Sequence, residues 1–63
     1  MRNLYMTDWG EVVISPEEAS LVQTWLEAQR FSVVDTLPKS WVNRALALMA
    51  DIERVAKWKY ENA

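Results

Sequence analysis

The sequence contains neither cysteine nor histidine. The absence of cysteine excludes disulfides, thiolate zinc sites and thiol nucleophiles, and it is typical of a reducing compartment such as the cytoplasm. The absence of histidine removes the commonest metal ligand and the commonest general base. Any catalytic or metal-binding chemistry would therefore depend on carboxylates, hydroxyls, amines and guanidinium groups.

Glycine is almost absent as well, with Gly10 the only one. A loop that cradles phosphates ahead of a helix needs several glycines, so this class of site is excluded. The sequence shows no internal repeat, no secretory signal pattern, and no apolar run near the roughly 20 residues that span a bilayer. We therefore expect a soluble, cytoplasmic chain with no membrane partner.

The chain has 63 residues, of which half are apolar, a quarter are charged and four are tryptophan. A chain this short buries only about 60% of its unfolded surface, so we predict a single small domain over residues 1–63. Each tryptophan can bury on the order of 150 to 250 Å², which favours an adequate core without disulfides. Small domains without such cross-links often self-associate, so a homodimer is one expectation.

The charge is unevenly placed along the chain. Residues 1–29 carry one basic and five acidic residues, a balance of −4, whereas residues 30–63 carry six basic and four acidic residues, a balance of +2. Such asymmetry can mark a binding face, although internal charge complementarity with ordinary solvation is the simpler interpretation.

The first elements predicted are a hairpin and a helix. Residues Asn3–Met6 and Glu11–Ile14 are short apolar or β-branched stretches, and Asp8 and Gly10 between them are turn formers. After the hairpin, Ser15 supplies a helix cap, followed by proline at the first helical position and a glutamate three residues after the cap. This pattern predicts a helix from residue 16. Its apolar side is formed by Leu21, Val22, Trp25, Leu26 and Ala28.

A third strand and a second helix follow. Phe31–Asp35 is rich in β-branched residues, which predicts a short strand and a strand–helix–strand crossover. Pro38 opens the second helix, with Thr36 or Leu37 as its cap or with a later start at Ser40, and the helix continues to about residue 61. Its apolar stripe is formed by Val42, Ala45, Leu48, Met49, Ile52, Val55 and Ala56.

The order of these elements predicts an α+β fold. We expect two layers, with a three-stranded sheet carrying both helices on one face in the order ββαβα. The alternative is a mostly α protein, a helical hairpin in which residues 31–37 are a connector and the N-terminal segment is an irregular arm.

Catalytic chemistry finds little support. The serines have neither a histidine nor an evident lysine partner for activation. Glu17 and Glu18 form the only adjacent acidic pair, and the helix dipole explains acidic residues in a first helical turn. Asp51 and Glu53 lie two positions apart on a helix and so point in different directions. We expect no enzyme activity, no catalytic residue, no metal, no cofactor and no small-molecule substrate.

One side chain stands outside the helical pattern. Trp58 lies about 140° from the centre of the apolar stripe, on the polar side of the second helix. It either anchors a partner, as tryptophan and arginine commonly do in interfaces, or folds back over the hairpin or the first helix. Trp9 in the hairpin turn has the same two alternatives: its ring either covers the edge of the core, which is the favoured interpretation, or projects as a contact for a partner. The candidate partner-binding residues are Trp58, Arg54, Asp51, Ala47, Arg44 and Trp9.

These observations predict a non-enzymatic protein-interaction module or small regulator, acting as an inhibitor or adaptor. It would bind a larger protein, or a second copy of itself as a homodimer, through the C-terminal helix. The alternative is a nucleic-acid-binding regulator that uses the basic residues of the C-terminal half. A sequence pI near 4.9, the lack of a lysine or arginine run and the interspersed acidic residues count against nucleic acid. The basic residues in question are Arg30, Lys39, Arg44, Arg54, Lys57 and Lys59.

Overall fold

The structure is a computed structural model that describes residues 3–63, so the first two positions of the predicted 1–63 domain lie outside the described residues. Within that range, a two-stranded antiparallel hairpin precedes two α-helices, which confirms the α+β class. Neither helix combines the length and the apolar character needed to cross a membrane, as far as the described residues go.

The hairpin consists of β1 (Asn3–Thr7) and β2 (Gly10–Ile14). Both strands were predicted, and each is one residue longer at the turn. Thr7 lies opposite Gly10 in the ladder, and its hydroxyl donates to the Gly10 carbonyl oxygen at 2.8 Å and accepts the Trp9 N–H at 3.1 Å. Gly10 has a φ of +126°, which favours glycine because it lacks a Cβ atom. The turn therefore depends on both Thr7 and Gly10.

The first helix, α1 (Pro16–Arg30), begins where the sequence predicts. The Ser15 hydroxyl accepts the Glu18 N–H at 3.1 Å, and the Glu18 carboxylate accepts the Ser15 N–H at 2.9 Å. This reciprocal pair satisfies two backbone donors at the helix start. The buried residues of α1 are Val22, Trp25 and Ala28.

The segment predicted as a third strand, Phe31–Asp35, instead starts with the C-cap residue of α1 and runs through a turn into a 3₁₀ turn, so that prediction and the ββαβα order are wrong. Ser32 adopts a φ of 56°, and its N–H donates to the Gln29 carbonyl oxygen at 3.2 Å. The next N–H, of Val33, donates to the Ala28 carbonyl oxygen at 2.9 Å. These two bonds are the Schellman pattern that closes a helix, and they take up donors that a strand would need.

The second helix, α2 (Lys39–Glu61), follows a 3₁₀ turn at Val34–Thr36. Pro38 is its cap residue, with an extended ψ of 138°, rather than its first helical residue. Thr36 is not the cap, since its hydroxyl donates to the Val33 carbonyl oxygen at 2.6 Å. Leu37 likewise lies outside the helix in an extended conformation. The mostly α alternative is not supported, because the N-terminal segment forms a hairpin and not an irregular arm.

The core lies between the inner face of the hairpin and the two helices. It joins Val12 and Ile14 of β2 to Val22 of α1 and to Ile52 and Ala56 of α2. An aromatic contact also joins the two helices, where the ring centroids of Trp25 and Trp41 lie 6.2 Å apart. Burial of Trp25 agrees with its predicted position on the apolar stripe. No large side chain of residues 3–63 is completely enclosed, which makes this core thin.

Candidate interaction surface

Trp58 projects from α2 into solvent with 64% of its surface exposed. It lies on the flank of the helix, outside the stripe that contributes Ile52 and Ala56 to the core. The alternative in which its ring folds back over the hairpin or α1 is therefore not the observed arrangement. The exposure that the helical period predicts is confirmed, whereas a binding role for Trp58 stays a prediction.

Val55 connects Trp58 to the hairpin. One shallow depression is lined by Arg54, Val55 and Trp58, and a neighbouring one is lined by Val55 together with Val13 and Asp51. Because Val55 borders both depressions, the flank of α2 around Trp58 adjoins β2 at Val13, with Glu18 and Asp51 also lining the second depression.

The outer face of the hairpin is also apolar. Leu4, Met6 and Val13 are 56%, 65% and 54% exposed, and Leu4 lies directly opposite Val13 in the ladder. Alternation along the strands sends Val12 and Ile14 inward and leaves these three side chains outside. We call the exposed apolar side chains Leu4, Met6, Val13, Val55 and Trp58 together the apolar strip.

Sequence reasoning missed the hairpin part of this strip. The signal was present, because positions 4–6 and 12–14 are continuous apolar runs rather than alternations of apolar and polar residues. Continuous runs are typical of strands that are covered on both faces. In the described residues the helices cover the inner face only.

Four of the predicted partner-binding residues precede Trp58 on α2. Arg54, one turn before Trp58, forms an exposed ion pair at 3.2 Å with Asp51, two turns before Trp58. Such an exposed pair contributes about 0 to 1 kcal/mol to stability, so its charges can be rearranged at little cost. Ala47 and Arg44 are exposed closer to the start of α2, where small side chains leave the surface smooth.

Trp9 does not join this group. Its ring packs against Tyr60, with 5.4 Å between ring centroids, and the Lys57 ammonium lies 5.6 Å from its centroid. Tyr60 is two positions after Trp58 and so projects from nearly the opposite side of α2. Trp9 is 40% exposed beside the end of α2, and its role as a cover at the core edge stays a prediction.

A second concave region lies between β1 and α1. This groove has a volume of about 310 Å³, with Leu4, Ile14, Val22 and Leu26 among its apolar lining residues and Arg30 among its polar ones. It adjoins the apolar strip through Leu4 and is large enough to receive an apolar side chain of a partner.

Metal-ligating side chains are not clustered in the described part of the chain, where no three of the acidic residues come together as a metal site would require. Comparison of the chain with protein-family models, curated proteins and solved structures finds no match. The function therefore has to be inferred from the surface of the chain itself.

Proposed function

We propose that the protein is a non-enzymatic interaction module, a small regulator of the inhibitor or adaptor type, that binds a protein surface. The partner is a larger protein or a second copy of the chain, and the contact is made by the apolar strip with the flank of α2 around Trp58 at its centre. The observation that carries the proposal is the exposure of Val13, Val55 and Trp58, which line two depressions that share Val55.

The energetics of burial support binding at this position. Fully covering a large apolar side chain contributes about 1.5 to 3 kcal/mol, and tryptophan has one of the largest apolar surfaces. Arg54 and Asp51 beside Trp58 supply charges of both signs at the border, as in interfaces with an apolar centre and a polar rim. A contact that covers the strip would therefore gain free energy mainly from apolar burial.

The nucleic-acid alternative has weaker support. Three of the basic side chains already lie against groups of the chain: Arg54 pairs with Asp51, Lys57 lies over the Trp9 ring and Arg30 lies over the Phe31 ring. Binding to phosphates depends on several basic groups acting together along one surface. These contacts are exposed and individually weak, so the acidic pI near 4.9 and the lack of a lysine or arginine run weigh more against nucleic acid.

We also place the protein in the cytoplasm as part of this proposal. Its support is the complete absence of cysteine, which leaves the chain without any group that an oxidising compartment would cross-link.

Replacement of Trp58 by alanine tests the proposal. The variant should bind another protein about 30-fold more weakly, because a buried hot-spot tryptophan contributes about 2 kcal/mol or more. A symmetric dimer loses the contact twice, so self-association should weaken roughly 1,000-fold. Folding should persist, since Trp58 lies outside the core and alanine favours helices. Association is measured by sedimentation equilibrium and by titration against any protein recovered by cross-linking, and folding by circular dichroism.

The matched control is Leu46→Ala. Leu46 is 50% exposed on the same helix, but it lies nine residues, or about two and a half turns, from Val55 and so projects from the opposite side. The proposal would be wrong if both substitutions left association unchanged, or if both weakened it equally.

A further inference from the structure

The chain exposes more surface than a protein of its mass normally does. Its accessible surface is 5072 Å², whereas a compact monomer of 7.4 kDa is expected to have about 4,200 Å². The difference of about 900 Å² is close to the roughly 800 Å² that each partner buries in a standard protein–protein interface. The excess surface is therefore of the size that one stable contact would remove.

The shape of the molecule agrees with this comparison. The radius of gyration is 12.5 Å, compared with about 10.6 Å for a compact chain of 63 residues. The extents of 40 × 24 × 19 Å describe an elongated molecule, whose long dimension is close to the roughly 35 Å length of the 23-residue α2.

The uncovered face belongs to the hairpin and the adjoining flank of α2. A sheet of two strands is marginally stable alone and needs further strands or packing against a helix. The helices supply one layer against Val12 and Ile14, while Leu4, Met6 and Val13 on the other face have none among the described residues. A second layer at this face would complete the packing of both strand faces.

The charges around the strip suit a second copy of the chain as the occupant. In a contact between identical copies related by a two-fold axis, the same patch faces itself, so it must be self-complementary. The strip has an apolar centre and carries both signs at its border, with Glu11 opposite Met6 in the ladder and Asp51 beside Arg54 on α2. Mixed signs suit a copy of the same patch, whereas a strongly basic or acidic partner would meet a like charge. The absence of cysteine also leaves self-association as a means of stabilising so short a chain.

We propose that a second copy of this chain covers the apolar strip and forms a two-fold symmetric dimer. The outer faces of the two hairpins pack together through Leu4, Met6 and Val13, and Val55 and Trp58 of each copy extend the contact along α2. This inference rests on the proposed function and names its partner.

Sedimentation equilibrium of the full chain from about 1 μM to 1 mM tests the proposal, since this range brackets the dissociation constants of weak and moderate dimers. The wild-type chain should sediment as a dimer at the upper end. Val13→Thr should raise the dissociation constant about tenfold, because a symmetric dimer loses the buried methyl group twice. Threonine is β-branched and favours strands, so the hairpin is retained.

Val33→Thr is the matched control, because it makes the same substitution at an exposed valine outside the strip. Circular dichroism at the highest concentration confirms that each variant is folded. A wild-type chain that stays monomeric throughout the range would overturn the proposal. So would a dimer whose dissociation constant is the same in the wild type and in Val13→Thr.

The outcomes also separate this inference from the proposed function. If the wild type is monomeric while Trp58→Ala weakens binding to a cross-linked protein, the second copy is the wrong partner and the binding surface is still supported. If the dimer forms and Val13→Thr weakens it while Trp58→Ala does not, the hairpin contact stands and the central role given to Trp58 falls.

Discussion

Gly10 shows how a single backbone conformation supports the hairpin. Its φ of +126° lies in a region that side-chain-bearing residues rarely adopt, although a Cβ atom placed there would meet no neighbouring atom within 4 Å. The requirement for glycine is thus conformational and not steric. Sequence reasoning identified Gly10 as a turn former, but the backbone conformation that makes glycine necessary emerged only from the structure.

Gly10→Ala should therefore destabilise the protein by about 1 to 3 kcal/mol, the usual cost of holding a non-glycine residue in such a conformation. The midpoint of denaturant unfolding, with the slope unchanged, measures this loss. Asp8→Ala, at an exposed turn position, is the control and should change stability much less. Equal stability of Gly10→Ala and the wild type would contradict the role assigned to this residue.

At the scale of elements, the two helices show where sequence reasoning succeeds. The start of α1 was predicted to the residue because Ser15, Pro16 and Glu18 act within one helical turn, and no distant contact is needed to form the cap. The course of α2 followed from its apolar period, and its start was misjudged by only one or two residues at Pro38. Local hydrogen bonds and helical periodicity are the properties that a sequence displays most directly.

The prediction of a third strand was wrong for a physical reason. The β-branched residues of the 31–35 segment favour extended structure, but a strand is stable only beside a partner strand. Here the Schellman bonds at Ser32 and Val33 close the end of α1, and the 3₁₀ turn that begins at Val34 follows immediately. Intrinsic preference was overridden by the end of the preceding helix.

Ser32→Gly should stabilise this helix end. Ser32 adopts a left-handed φ of 56°, a conformation that costs a non-glycine residue about 1 to 2 kcal/mol and that glycine adopts freely. Part of the gain is offset by the greater freedom of glycine in the unfolded chain, which leaves about 0.5 kcal/mol. Thermal unfolding measures the change, with Ser20→Gly in the middle of α1 as a control that should destabilise. A lower stability of Ser32→Gly would show that the serine side chain contributes more than the backbone strain costs.

At the scale of the whole molecule, the candidate surface was only partly predictable. The position of Trp58 on an exposed flank follows from counting residues along α2, which a sequence permits. The joining of Val13 to Val55 depends on how the hairpin sits on the helix, which is a tertiary contact with no local signal. The apolar runs of the two strands indicated that both faces would be covered, but not which element would cover them.

The most direct test of the binding surface is the solvent exposure of Trp58 before and after association. Fluorine NMR of the chain labelled with fluorotryptophan reports exposure as the shift between H₂O and D₂O, with Trp58 assigned by its loss in Trp58→Phe and the buried Trp25 as an internal reference. We expect a large solvent shift for Trp58 in the dilute chain and its loss on association with a second copy or another protein, while Trp25 stays unchanged. A Trp58 signal that keeps its full solvent shift in the associated state would contradict the proposed surface.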